Sequence, residues 1–255
     1  MVVNMRYREE NVTRWHDIDA RRHVRPSFLL TYMQELACHQ MEAAGQGLDA
    51  LRDTEGLAFI LTRMVMVFDG KLGPLEKYMA QTWISPARGL FYPRSFVIER
   101  PDGTPVARAF SHWALMDLRT GHPVRPADFS FRVEPEEALD LTFPRRIRLP
   151  EGLREVGTRR IAYSDIDYNG HMNNTRYPDM LCDFLPTGAA DHLRTMDLDF
   201  CRGALYGSTL SVLRSEEAAE EGKVYGFQTL DADGQVCLCA RVTTDGGEDA
   251  ECSPI

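Results

Sequence analysis

No stretch of this chain approaches the roughly 20 consecutive apolar residues that a membrane-spanning helix needs. The opening "MVVNMRYREENVTRW" also lacks the apolar core of a secretory signal. Cysteine is sparse, with six residues at 38, 182, 201, 237, 239 and 252, and no C-x-x-C spacing among them. They read as reduced thiols, not as a disulfide frame or a zinc site. Positive charge is short as well: 29 Lys and Arg stand against 38 Asp and Glu, for a net charge of −9. That balance excludes the broad basic face that nucleic-acid binding requires. The expectation is a soluble cytoplasmic protein with no membrane or nucleic-acid partner and no metal or organic cofactor.

What is present is an ordinary globular mix, 44% hydrophobic and 26% charged over 255 residues. Cations gather locally at Arg21, Arg22 and Arg25, at Arg145, Arg146 and Arg148, and at Arg159 and Arg160. Such runs are usually solvated loop charge. The functional alternative is a docking patch for an acidic partner or a phosphate.

An internal repeat organises the chain. Residues 165–177 read "DIDYNGHMNNTRY" and residues 17–29 read "DIDARRHVRPSFL", sharing Asp-Ile-Asp-x-x-x-His at an offset of 148. After the first copy, Phe28, Leu29, Tyr32, Met33, Leu36 and Met41 have helical spacing, with Ser27 as cap and Gly45 as stop. Strand-like stretches follow at 56–68, 78–85, 90–100 and 105–118, with Asp102-Gly103 as a hairpin turn. The second half repeats the order. A helix is expected from about Asn174 to Leu185, then strands at 194–202, 208–216, 223–231 and 235–244, with Asp233-Gly234 as a turn. One helix followed by antiparallel strands, twice over, describes an α+β protein.

Here a resemblance becomes specific. The helix and sheet preceded by D-x-x-x-H-x-N-N-x-x-Y resemble the hot-dog fold, and two in tandem resemble the acyl-ACP thioesterases of bacteria and plant plastids. The likeness rests on "SDIDYNGHMNNTRY" in the second half. In the first half it rests on "LLTYMQELACH", "TW" at 82–83, "YPRSFVIERPDG" and "SHWALMDLRTGHPVRP". It implies two hot-dog domains, each a long helix wrapped by an antiparallel sheet. Residues 1–130 would bind the acyl chain, 131–157 would be a linker, 158–245 would carry the chemistry and 246–255 a disordered tail. It also implies hydrolysis of fatty acyl-ACP to free fatty acid and ACP by a monomer or homodimer.

Thioester hydrolysis needs an aimed, partly deprotonated water and a stabilised carbonyl oxygen. Asp167, Asn169 and His171 alternate along what reads as an extended segment, so their side chains can project to one side. A helix entry at Asn173 and Asn174 can offer backbone N–H groups to substrate. The family's catalytic Asp, Asn and His carry over to Asp167, Asn169 and His171. Capping is the ordinary role for Asn173 and Asn174, backbone bonding for Asp165, and core packing for Tyr177. The family's Glu, followed in plant members by Cys, aligns with Gly203 and Ala204, which shifts the role of base to Asp167. Asp199 or Cys201 could substitute if that strand shifts. The first copy reads as degenerate, with Phe28, Met33 and Trp83 lining or flanking an acyl tunnel. The competing readings are an acyl-CoA thioesterase of the same fold, a non-hydrolytic acyl-thioester binder, and a tandem hot-dog hydratase.

Overall fold

The computed structural model describes residues 6–141 and 146–245; Arg145 and the expected tail 246–255 lie outside them. The chain divides into two compact units, Met1–Thr142 and Phe143–Ile255. Each is a five-stranded antiparallel sheet with a helix entering from the repeated turn.

In the first unit β1 (Tyr7–Val12) precedes the turn and α1 (Pro26–Ala43) follows it. A short α2 (Leu48–Ala50) leads to β2 (Leu57–Phe68), β3 (Lys77–Ile84), β4 (Phe91–Glu99) and β5 (Pro105–Asp117). The sheet order is β1-β3-β4-β5-β2. Helix α1 starts two residues earlier than a Ser27 cap implies: Arg25 is the N-cap and Pro26 takes the first position, where its missing N–H costs nothing. Ser27 is therefore inside the helix and buried. The stop falls at Gly45, whose φ of +68° suits a glycine after the C-cap. Leu29, Leu30, Met33, Leu36, Ala37, Gln40 and Met41 form the helix's buried stripe, and Met64, Met66, Trp83 and Phe96 of the sheet are likewise inaccessible. A guanidinium lies within this core. Arg94 donates to Gln40 Oε1 at 2.5 Å and Thr82 Oγ1 at 3.2 Å, and burial pushes its pKa down to about 10.

The second unit consists of β6 (Arg154–Arg160), α3 (Tyr177–Asp183), β7 (Leu193–Phe200), β8 (Thr209–Ala218), β9 (Lys223–Leu230) and β10 (Val236–Thr244). Its order is β7-β10-β9-β8-β6. The helix is shorter than expected. A 3-10 turn at Asn174–Arg176 precedes the seven residues of α3, which ends before Phe184 and Pro186. Pro178 lies in its first turn, where it is tolerated.

The segment expected to link the units is not free chain. Val133 is buried with Ala44 and Ile84, and Phe131 packs on them. Trp83 Nε1 donates to the Glu137 carbonyl at 2.8 Å, and Leu139 N donates to Ser95 Oγ at 3.1 Å. Arg6 stacks 4.1 Å from the Trp83 ring and pairs with Glu136. Residues 154–157, also expected as linker, begin strand β6.

His112 on β5 stacks on Phe91 and meets the edge of Phe110. Burial holds its imidazole down to about 4, with Arg63 and Arg88 adding to the effect. The unfolded chain, with an ordinary histidine pKa near 6.5, takes up a proton that the fold refuses. Stability from neutral His112 is thus complete above about pH 6.5 and is lost as pH falls toward 4. Discounted for partial exposure, that loss is about 1–2 kcal/mol. Urea titrations at pH 7 and 4.5 should show the pH difference shrinking by that amount in His112→Gln.

Candidate active site

The repeat is a repeat of backbone, not of side chains alone. In the second unit Asp167 N donates to the His171 carbonyl at 2.9 Å, Asn173 N donates to the Asp165 carbonyl at 2.8 Å, and Ile166 bridges Met172. In the first, Asp19 N donates to the His23 carbonyl at 2.7 Å, Arg25 N to the Asp17 carbonyl at 2.9 Å, and Ile18 bridges Val24. Both turns use their aspartates alike. Asp165 Oδ2 accepts Ala162 N at 2.9 Å, as Asp17 Oδ2 accepts Arg14 N at 3.0 Å. Asp167 Oδ1 accepts Asn169 N at 2.8 Å, as Asp19 Oδ1 accepts Arg21 N at 2.9 Å. Gly170 has φ +81°, and its counterpart Arg22 has φ +65°. A non-glycine residue there costs about 1–2 kcal/mol.

This corrects the expected geometry. Residues 167–171 are a closed turn, not an extended segment, because the Asp167 carboxylate and backbone fold the chain back on itself. Asp167 and His171 are therefore neighbours through the backbone bond. Among the described residues, no hydrogen bond joins the Asp167 carboxylate to the His171 ring. Asn169 and His171 are exposed and Asp167 half-buried, so all three line an accessible rim.

Asp165 is a structural residue, 4% exposed, with Oδ1 accepting from Arg159 Nη2 at 2.7 Å. Arg159 is thereby engaged, not part of a free basic cluster. Asn173 is the N-cap of the 3-10 turn, its Oδ1 accepting Thr175 N at 2.9 Å. Its side-chain oxygen is committed to capping and its N–H to Asp165, while Arg176 N donates to the Asn173 carbonyl and Tyr177 N to the Asn174 carbonyl, which leaves the Asn174 N–H as the entry's donor. Tyr177 is 2% exposed and meets Phe200 edge to face at 5.6 Å. Burial raises its hydroxyl pKa above the ordinary value, which fits core packing. Burial, with Asp199 second, likewise raises the Cys201 thiol, making it a neutral thiol and a poor nucleophile.

One contact had no signal in the sequence pattern. Met172 N donates to the Ala204 carbonyl at 2.8 Å and His171 bridges Leu205, which brings residues 203–205 against the turn. A Cβ added to Gly203 would lie 2.4 Å from His171 Cδ2 and 2.7 Å from its Cγ. The imidazole thus rests on bare backbone, at the position where the resemblance implied a Glu. Tyr168 in the turn and Leu205 and Tyr206 beside the contact are exposed. Only the run of apolar residues beside turn formers, as in "ALYGS", could have hinted at this rim. Among the described residues no group of His, Cys, Asp and Glu could hold a metal ion.

Comparison with known proteins accounts for the arrangement. Residues 4–129 match the acyl-ACP thioesterase N-terminal domain, and residues 154–244 match the acyl-ACP thioesterase C-terminal domain. The chain belongs to the acyl-ACP thioesterase family. A similar relative is a chloroplastic palmitoyl-acyl carrier protein thioesterase of Arabidopsis thaliana, 24% identical over 239 residues, covering 86% of this chain. This chain spans 57% of that protein's length. An acyl-ACP thioesterase from Bacteroides thetaiotaomicron superposes with a TM-score of 0.83 at 22% identity, over 94% of this chain and 98% of that one. The 12:0-ACP thioesterase from Umbellularia californica gives 0.78 at 17% identity, over 94% and 93%. These two likenesses show the fold, and with it the α+β tandem hot-dog arrangement of the family.

Two variants separate architecture from chemistry in this turn. Asp165→Ala removes a buried charge-assisted bond and strands the Ala162 N–H, so unfolding free energy should fall by about 2 kcal/mol. An unchanged denaturation midpoint would remove Asp165 from the structural role. Gly203→Ala should leave the fold intact but push the His171 ring aside. A ring-proton NMR signal of His171 that does not move would contradict the close contact.

Proposed function

We propose that this protein is a thioester hydrolase that releases free fatty acid from acyl-ACP, in the cytoplasm and within fatty acid synthesis. The observation that carries the reading is the match of both family domains, in family order, across the chain. The rim formed by Asp167, Asn169 and His171 supports it with groups suited to the reaction. Asp167 takes the proton of an attacking water, and His171 polarises the thioester carbonyl or relays that proton. Asn169 orients the water or the carbonyl. The backbone N–H of Asn174, at the helix entry, stabilises the developing oxyanion. The second unit is read as the catalytic half and the first as the acyl-chain half. No helix of the described residues is long and apolar enough to cross a membrane.

Gly203 favours a second reading. The bare backbone beside His171 supplies no side chain of its own, as befits a protein that binds acyl thioesters without cleaving them. Carrier preference is a further question, because acyl-CoA offers the same thioester on the same arm.

Release of free thiol from a panel of acyl-ACPs and acyl-CoAs, C4 to C18, decides among these. Wild type is expected to turn over acyl-ACP with higher kcat/KM than acyl-CoA. Asp167→Ala and His171→Ala should each lose at least about a hundredfold in kcat, the scale of a general acid–base contribution. Tight acyl-thioester binding without turnover would replace hydrolysis with the binding reading.

A further inference from the structure

The two copies of the turn share a backbone but differ in charge. Residues 14–25 hold four arginines against Asp17 and Asp19; the matching residues 162–173 hold no cation against Asp165 and Asp167. In the first copy both acids are consumed locally. Asp17 is buried, accepting Arg14 N and the Tyr32 hydroxyl, and Asp19 Oδ1 accepts the backbone N–H groups of Arg21 and His23. Arg25 is half-buried and its Nη2 donates to the His16 carbonyl at 2.8 Å. Arg14 and Arg22 are exposed, and among the described residues neither pairs with a carboxylate.

The neighbouring turn extends this surface. Thr13 Oγ1 donates to the Gly73 carbonyl at 2.6 Å and Val24 N donates to the Leu72 carbonyl at 2.9 Å, so residues 71–77 are knitted to the first turn. They add exposed Lys71 and Lys77, while Glu76 is neutralised by Arg100 at 2.6 Å and by Gly73 N. Two large apolar side chains stand exposed among these cations, Trp15 at 57% and Leu75 at 62%. The Arg22 guanidinium lies 5.9 Å from the Trp15 ring. Arg22 also holds a left-handed backbone where the other copy uses glycine. Strain kept at an exposed arginine marks a side chain retained for something other than folding.

We propose that the turn at residues 14–25, with Lys71, Leu75 and Lys77, is the docking surface for the acidic face of the carrier protein. The proposal rests on the carrier-thioester function above. A chain of net charge −9 repels an acidic partner overall, so a local cationic face is what permits a productive encounter. Cations ring an aromatic and an aliphatic anchor, the pattern of a protein-protein contact with a charged rim. One copy of the duplicated turn thus does chemistry and the other does recognition.

The test compares Arg14→Glu/Arg22→Glu with the same charge change at Arg146 and Arg148, exposed cations of the second unit. Steady-state kinetics are run on acyl-ACP and on acyl-pantetheine, which carries no protein. The turn variant should raise KM for acyl-ACP at least tenfold, with kcat and acyl-pantetheine hydrolysis unchanged and a weakened salt dependence. The control should change KM less than twofold. Arg22→Gly, which relieves the backbone strain, should fold at least as stably as wild type yet still raise KM. Equal KM in wild type and the turn variant, or an equal effect of the control, overturns the proposal. Loss of binding to phosphatidylglycerol vesicles with the acyl-ACP KM unchanged overturns it in favour of a membrane surface. If no thioester is hydrolysed, the function above fails, and anisotropy titration with labelled holo-carrier protein still decides docking. Tenfold weaker binding by the turn variant supports docking, and unchanged binding refutes it.

Discussion

A buried aspartate at the start of each repeated turn, Asp17 in one unit and Asp165 in the other, is the group on which the rest of each half depends. Its carboxylate accepts a backbone N–H three residues upstream and its carbonyl accepts one eight residues downstream. Those bonds fold twelve residues into a single closed loop that delivers the chain to the first turn of a helix. A carboxylate so placed cannot be solvated, so it must find all its partners within the protein. Each unit supplies a different last partner, the Tyr32 hydroxyl in the first and the Arg159 guanidinium in the second. The loop is preserved while the chemistry around it diverges.

That economy accounts for much of the polar density of the turn. Of the polar residues in "DIDYNGHMNNTRY", Asp165 and Asn173 are spent on architecture, and Asp167 shares its carboxylate with the backbone of Asn169. His171 gains its position from the loop and its ring contact from Gly203, thirty-two residues away. A single sequence shows the repeat but cannot show which hydrogen bonds the repeat is for.

Most of the fold was legible for a plain reason. Strands β2 to β5 and β7 to β10 are long and rich in β-branched and aromatic residues, and Asp-Gly turns precede β5 and β10, so they fall close to their expected limits. The two strands that escaped notice, β1 and β6, each stand at one end of their unit's strand order. "YREENV" and "REVGTRR" are strongly charged, which is how an exposed edge avoids pairing with another chain, and charge masks the strand pattern. The short α3 was overestimated because helical spacing continued past Asp183, although the backbone had already turned at Phe184. The closed turn was misread as extended because alternation of side chains looks the same in both until the closing hydrogen bonds are known.

The stretch from Phe131 to Leu141 behaves as a strap over the first unit, with Val133 filling a gap beside Ala44 and Ile84 and the Glu137 carbonyl capping the Trp83 indole. Sequence similarity to the N-terminal family domain ends at residue 129, before this strap begins. Cutting the gene at that border would yield a half-protein with an open apolar seam and an indole N–H stripped of its acceptor. The folding unit is therefore longer than the homology unit, and the residues after 129 are what close that seam.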